Sequence, residues 1–208
     1  MDVDGRVPAT RTHDWSSAVD LDHLADIRAR AGELALGGVR HLVMEALAYP
    51  ADEAAAAGAG SCELTFFADG SVRIVDDGRG TEVFADRAGQ PVRKPVMATR
   101  DVRFFDAEDP PVLPDGHSRR GMSVVAALSV RLEHTNRRVE GAWTQRYDHG
   151  EPRSELVSVA ATGSTGTTVR FWPDTDLLAP LGPIDAELTL SWAAQWPALS
   201  LRVVDQRH

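Results

Sequence analysis

His41 and Glu45 stand four residues apart in "RHLVMEALAYPADEA", one turn apart on a helix, where a histidine beside a carboxylate can polarise a water. Asp52, seven positions beyond Glu45, shares their face. An exposed, chemically idle charged face would show the same spacing. In "RIVDDGRG" a β-rich run delivers Asp76 and Asp77 into a turn, where Gly78 and Gly80 let backbone approach a ligand closely. An aspartate fixed at a strand end can accept a hydrogen bond from an exocyclic amine, although Asp-Gly there is equally an ordinary turn. In "DGHSRRGMSVVAALS" Gly116 and Gly121 lead into a helix start, whose free N–H groups suit phosphate, and Arg119 and Arg120 add cationic donors. Read alone, that stretch is also a plain helix start with two solvated arginines. Read together, the three outline one anion or nucleotide pocket.

The elements that must position these residues follow from periodicity. Apolar residues at 21, 24, 25 and 27 give a short helix over Leu21–Arg30, and Val39 to about Gly58 is helical around a fault at Tyr49-Pro50. A proline inside a helix removes a backbone donor and clashes one turn back, at about 3 kcal/mol. "CELTFF-ADG-SVRIV" is a hairpin around an Asp69-Gly70 turn. Residues 84–115 read as irregular, with an acidic, proline-rich "DAEDPPVLPDG", and 121–129 as an apolar helix. "SVRLEHTN", "GAWTQRYDHG", "SELVSVAA" and "TTVRFWP" alternate as strands; 184–196 is an amphipathic helix and "LSLRVV" a last strand. Helices interleave with antiparallel-looking strands without βαβ regularity, so a two-layer α+β arrangement is expected.

Composition bounds the function. The 208 residues carry a net charge of −9, which argues against direct nucleic-acid binding. A single cysteine excludes an internal disulfide and a cysteine zinc site. No secretory pattern opens the chain and no apolar run reaches membrane-spanning length, so a cytoplasmic protein with no membrane partner is expected. Residues 1–14 read as a flexible arm and 15–208 as a single domain.

The order and spacing of these stretches resemble the ATPase domain of the DNA gyrase B subunit and its topoisomerase IV counterpart, in the GHKL superfamily with MutL and the sensor histidine kinases. The matching pieces are "GGVRHLVMEALAYPADEA", "GSVRIVDDGRG", "GMSVVAALSVRLE", "RYDHGEP" and "TGTTVRFWP", the last two pointing to the gyrase branch. More loosely, "HDWSSAVDLDHLADIRARAG" is similar to the family's opening segment. The resemblance implies a GHKL (Bergerat) sandwich, a mixed, mostly antiparallel sheet with helices on one face. It implies that Glu45 matches the general base for the attacking water and His41 its neighbour, that Asp76 receives the adenine amine, and that Arg79 and Gly80 complete that motif, Arg79 paired to Glu53. Thr167 then helps hold adenine, Ile74, Met97 and Val169 form apolar walls, and Arg138 stands at the pocket mouth where aminocoumarin inhibitors touch.

Departures from the pattern set the expected activity. The family's Glu-x-x-x-Asn ends in the asparagine that ligates Mg²⁺; here Tyr49 takes that place, and a neutral phenol is a poor ligand for a metal that wants compact oxygen donors. The family's Gly-x-x-Gly-x-Gly becomes Gly116-His-Ser-Arg119-Arg120-Gly121, setting a long side chain where backbone should close over phosphate. Acidic residues in the preceding lid would repel a triphosphate. No segment corresponding to the family's transducer domain is recognisable within the chain. The expectation is a module that binds ATP or ADP without Mg²⁺, or another small ligand, with little or no hydrolysis, His41 and Glu45 being vestigial and no metal site retained. A protein partner and a monomer or weak homodimer go with it. The alternatives are an active ATPase subunit of a type II topoisomerase-like system completed by another chain, and a GHKL regulatory kinase or anti-regulator.

Overall fold

The structure, a computed structural model, describes residues 19–81, 84–85, 91–92, 96–154, 156–180 and 184–207. The expected arm at 1–14 lies outside the described residues. Helix α1 (Leu21–Ala29) opens on Asp20, whose side chain accepts from the His23 N–H, and buries His23, Leu24 and Ile27. A four-residue helix, α2 (Ala31–Leu34), follows without a signal in the periodicity. Helix α3 (Gly38–Ala57) is continuous through Pro50 and ends on Gly58 in the left-handed conformation. The expected fault at Tyr49-Pro50 therefore does not break it; burial on both sides of the proline holds the helix together.

The hairpin forms as expected from β1 (Gly60–Phe67) and β2 (Val72–Asp76), with Gly70 at φ 78° in the turn. The short strands β3 (Phe84–Ala85) and β4 (Pro91–Val92) pair with each other, and a 3₁₀ turn covers Val96–Ala98. Helix α4 (Met122–Ala127) is buried at all six positions. After it come β5 (Ser129–Arg138), β6 (Gly141–Asp148), β7 (Glu151–Pro152), β8 (Val157–Ser158), β9 (Gly166–Pro173), α5 (Ala186–Ala193) and β10 (Leu199–Gln206). The run "SELVSVAA" is a strand only at Val157 and Ser158; both side chains are exposed, so alternation there gains no burial and little pairing follows.

The strands make one eight-stranded sheet in the order β10-β1-β2-β9-β5-β6-β7, with β8 also on β6. All its pairs are antiparallel except β1 with β10, where Gly60 to Phe67 run beside Leu199 to Gln206. One face carries Cys62, Leu64, Phe66, Ile74, Leu132, Tyr147, Val169 and Phe171 into a core shared with α1, α3 and α4. Helix α3 packs on β1, β2 and β10, and α4 on β5, β6 and β9. The opposite face is polar and half-exposed, with the Arg170 guanidinium 4.2 Å from the Phe67 ring centroid and 4.7 Å from that of Trp172. The architecture is the expected α+β two-layer sandwich. Among the described residues no helix is long and apolar enough to cross a membrane.

Candidate functional site

One face of α3 places His41, Glu45, Tyr49 and Asp52 successively against the segment 101–121. Glu45 is fully buried. Its Oε1 accepts the Arg120 N–H at 2.5 Å and its Oε2 the Gly121 N–H at 2.9 Å. His41, equally buried, bonds Asp115 Oδ2 through Nδ1 at 2.8 Å, and its Nε2 lies 3.3 Å from Glu45 Oε1, an ion-pair distance outside hydrogen-bond geometry. Burial alone would lower the His41 pKa; the two carboxylates outweigh it and push it up to about 9. The pair is not an exposed charged face: both side chains are buried, and each Glu45 oxygen accepts one main-chain N–H.

Tyr49 joins three segments. Its hydroxyl donates to Asp101 Oδ2 at 3.0 Å and accepts the Met122 N–H at 3.2 Å. Burial, reinforced by the Asp101 charge, pushes the phenol pKa well up, so it stays neutral. Arg119, only 4% exposed, lies with its guanidinium 4.7 Å from the Tyr49 ring centroid and 3.9 Å from that of Phe104, with Nη1 2.8 Å from Asp52 Oδ2. The Arg120 side chain turns away to the Phe105 carbonyl. Leu113 N–H to the His117 carbonyl and Gly116 N–H to the Leu113 carbonyl close the preceding loop, Gly116 being left-handed at φ 85°.

The resemblance implies a Mg²⁺ site here, and these donors do not fit one. The phenol at 49 is neutral and bonded to Asp101, each oxygen of the carboxylate at 45 accepts a main-chain N–H, and the carboxylates at 101 and 52 already hold the Arg103 and Arg119 guanidiniums. Among the described residues no three His, Cys, Asp or Glu side chains are grouped to hold a metal ion.

The second half of the site gathers at the end of β2. Asp76 accepts from the Gly78 N–H at 2.9 Å, the Thr167 N–H at 3.2 Å and the Thr167 hydroxyl. Burial raises its pKa, and the Thr167 and Gly78 bonds partly offset that. Arg79 grips Glu53 with Nε at 2.5 Å and Nη2 at 3.0 Å. The Gly80 carbonyl accepts from Arg138 Nη1 at 3.0 Å. Ile74 and Val169 are paired across β2 and β9, buried in the core that also takes Met97. The residues expected of an adenine side are thus brought together, and those of the phosphate side form a neighbouring cluster. Adjacent α3 residues clasp both halves, Asp52 holding Arg119 and Glu53 holding Arg79.

Asp101, Phe104 and Asp115 take part in the site although nothing in the sequence singles them out. They lie in turn-rich chain, where an aspartate reads as a turn residue and a lone aromatic as core. Asn136, equally inconspicuous, pairs both amide ends with the Thr81 backbone and so anchors the exit from "DDGRG".

The sandwich, the strand-end aspartate and the carboxylate-bearing helix facing a glycine-arginine loop define a GHKL-type module. No protein-family model matches the chain. It is 34% identical to the DNA gyrase B subunit of Streptomyces coelicolor over 81% of this chain and 25% of that protein. It is 37% identical to the DNA gyrase B subunit of Mycolicibacterium smegmatis over 81% of this chain and 26% of that protein, and 35% identical to that of Mycobacterium tuberculosis over 76% and 24%. The chain is a homologue of the DNA gyrase B subunit, and it spans about a quarter of the length of those curated relatives.

Proposed function

We propose that this chain is an ATP-binding-fold module of the gyrase B type whose pocket takes an adenine nucleotide or a related small ligand without Mg²⁺ and hydrolyses little or none of it. Ligand occupancy then serves an interaction with a protein partner rather than turnover. Homology to the DNA gyrase B subunit supports the adenine side of the reading, and Asp76 stands bonded to Gly78 and Thr167, with Arg79 and Gly80 held beside it by Glu53 and Arg138.

One observation carries the loss of hydrolysis. At positions 49 and 119, where the family has its metal-ligating asparagine and central loop glycine, a tyrosine and an arginine stack on each other and fill the space with protein. Glu45 compounds this by spending both oxygens on the loop's own N–H groups. Removing one preorganised stabiliser of developing charge commonly costs about 10²–10³ in rate. Several lost together act as a unit and do not simply add.

Calorimetry with ATP, ADP and adenosine, each with Mg²⁺ and with EDTA, tests the reading. Binding that is indifferent to the metal, with no phosphate released over hours, is the expected result. Mg²⁺-dependent ATP binding with steady turnover would make the chain an active ATPase and overturn it. Silence toward all three compounds would overturn the adenine ligand.

A further inference from the structure

We propose that the phosphate side of this pocket holds a single phosphate group, gripped by one edge of Arg119, so that the ligand is an adenine nucleoside monophosphate in preference to a triphosphate. The proposal deepens the function above and rests on its adenine side.

The Arg119 side chain is 5% exposed, its guanidinium lies against the Tyr49 and Phe104 rings, and Nη1 is held by Asp52. Its Nε and Nη2 have no hydrogen-bond partner among the described residues. Those two N–H groups lie on the same edge of the guanidinium plane, the fork that matches two oxygens of a carboxylate or phosphate. Among the described residues Arg119 alone has both buried nitrogens of one guanidinium edge, Nε and Nη2, without an acceptor. Burying two donors of a charged group without acceptors carries a desolvation cost that an oxyanion removes. The edge is covered in this structure, so a ligand reaches it by displacing the protein atoms that lie over it.

Capacity sets the number of phosphates. The Arg120 and Gly121 N–H groups are spent on Glu45, that of Met122 on Tyr49, that of Arg119 on the Pro111 carbonyl and that of Gly116 on Leu113. Of the groups in the buried cluster, the Arg119 fork remains, enough for one phosphate. Further phosphates would meet the carboxylates of Glu45, Asp52, Asp101 and Asp115, whose cationic partners His41, Arg119 and Arg103 are already engaged with them. A triphosphate is the worse ligand on both counts.

Titrations in EDTA with adenosine, AMP, ATP and inorganic phosphate test this, on the full chain and on Arg119→Lys and Arg119→Met. AMP is expected to bind about tenfold tighter than adenosine or ATP, the gain of a charge-assisted bond pair. Arg119→Lys keeps a cation beside Asp52 and loses the fork; it should bring AMP down to the level of adenosine and leave adenosine unchanged. Arg119→Met should do the same, with thermal unfolding reporting whether the packing survives. Metal-free ATP binding as tight as AMP binding overturns the single-phosphate assignment and leaves the adenine reading standing. Binding of inorganic phosphate that depends on Arg119, without any binding of adenosine, keeps the fork and overturns the nucleoside. Silence toward every adenine compound overturns both.

Discussion

His41 is fully buried between the carboxylates of Asp115 and Glu45, and the first comes from the loop that precedes the glycine-arginine stretch. A protonated imidazole there ties that loop to α3. Its pKa rises from 6.5 to about 9 because the two carboxylates overcome the burial that would lower it. A histidine with a raised folded-state pKa adds stability that is complete below about 6.5 and is lost as pH climbs through about 9, on the order of 3 kcal/mol across the window. His23 and His134 act in the other direction. Burial, joined for His23 by the Arg100 charge, lowers both to about 4, so their contribution is lost as pH falls from 6.5 toward 4. Urea unfolding should therefore show stability declining from neutral pH to pH 9, and His41→Gln should flatten that limb while leaving the acid limb intact. An alkaline limb that persists undiminished in His41→Gln would mean that this contact is not what titrates.

At the scale of elements, Tyr49 sets the relation of α3 to its neighbours. Its hydroxyl bonds the 101–105 turn on one side and the first residue of α4 on the other. Tyr49→Phe keeps the ring against Arg119 but leaves the Met122 N–H without its partner, while Asp101 keeps Arg103, at a cost of about 1–3 kcal/mol. Chemical denaturation reads that directly, and a variant as stable as the parent would reduce the strut to a bystander. The tyrosine was legible in the sequence as a foreign residue at a metal-ligand position, but its partners were not. Asp101 lies 52 residues away and the Asp115 that meets His41 lies 74 residues away, each in chain without helical or strand period. The elements α1, the β1–β2 hairpin, β5, β6 and β9 were readable because one face of each is apolar, and α3 and α4 because they are long or compact apolar runs of helix-forming residues. Helix α2 is too short to show a period, and the parallel pairing of β10 with β1 depends on a return path that alternation within a strand does not encode. The cluster around Asp76 was legible because its contacts are local to the motifs, as with Asp76 to Gly78, or join two motifs, as with Asp76 to Thr167.

Over the whole molecule, α3 couples the two halves of the site. Asp52 and Glu53 are consecutive, and each holds an arginine from a different loop, so one helix turn touches both sides of the site. The two departures at 49 and 119 are also physically one feature: the Tyr49 ring is a stacking face for Arg119, and an asparagine at 49 would leave that guanidinium with one aromatic partner. Reverting either alone should do little. Arg119→Gly keeps the phenol in the metal's place, and Tyr49→Asn keeps a buried cation there, which opposes a divalent ion. Reverting both removes the plug and restores a compact amide oxygen for the metal. The double variant Tyr49→Asn/Arg119→Gly is therefore expected to bind ATP about tenfold or more tighter in Mg²⁺ than in EDTA, where the parent and both single variants show no such ratio. Hydrolysis should stay below that of an intact gyrase-type site, because Glu45 still caps the Arg120 and Gly121 N–H groups. Should the double variant, folded by its circular dichroism, remain indifferent to Mg²⁺, the metal site was lost elsewhere than at these two residues.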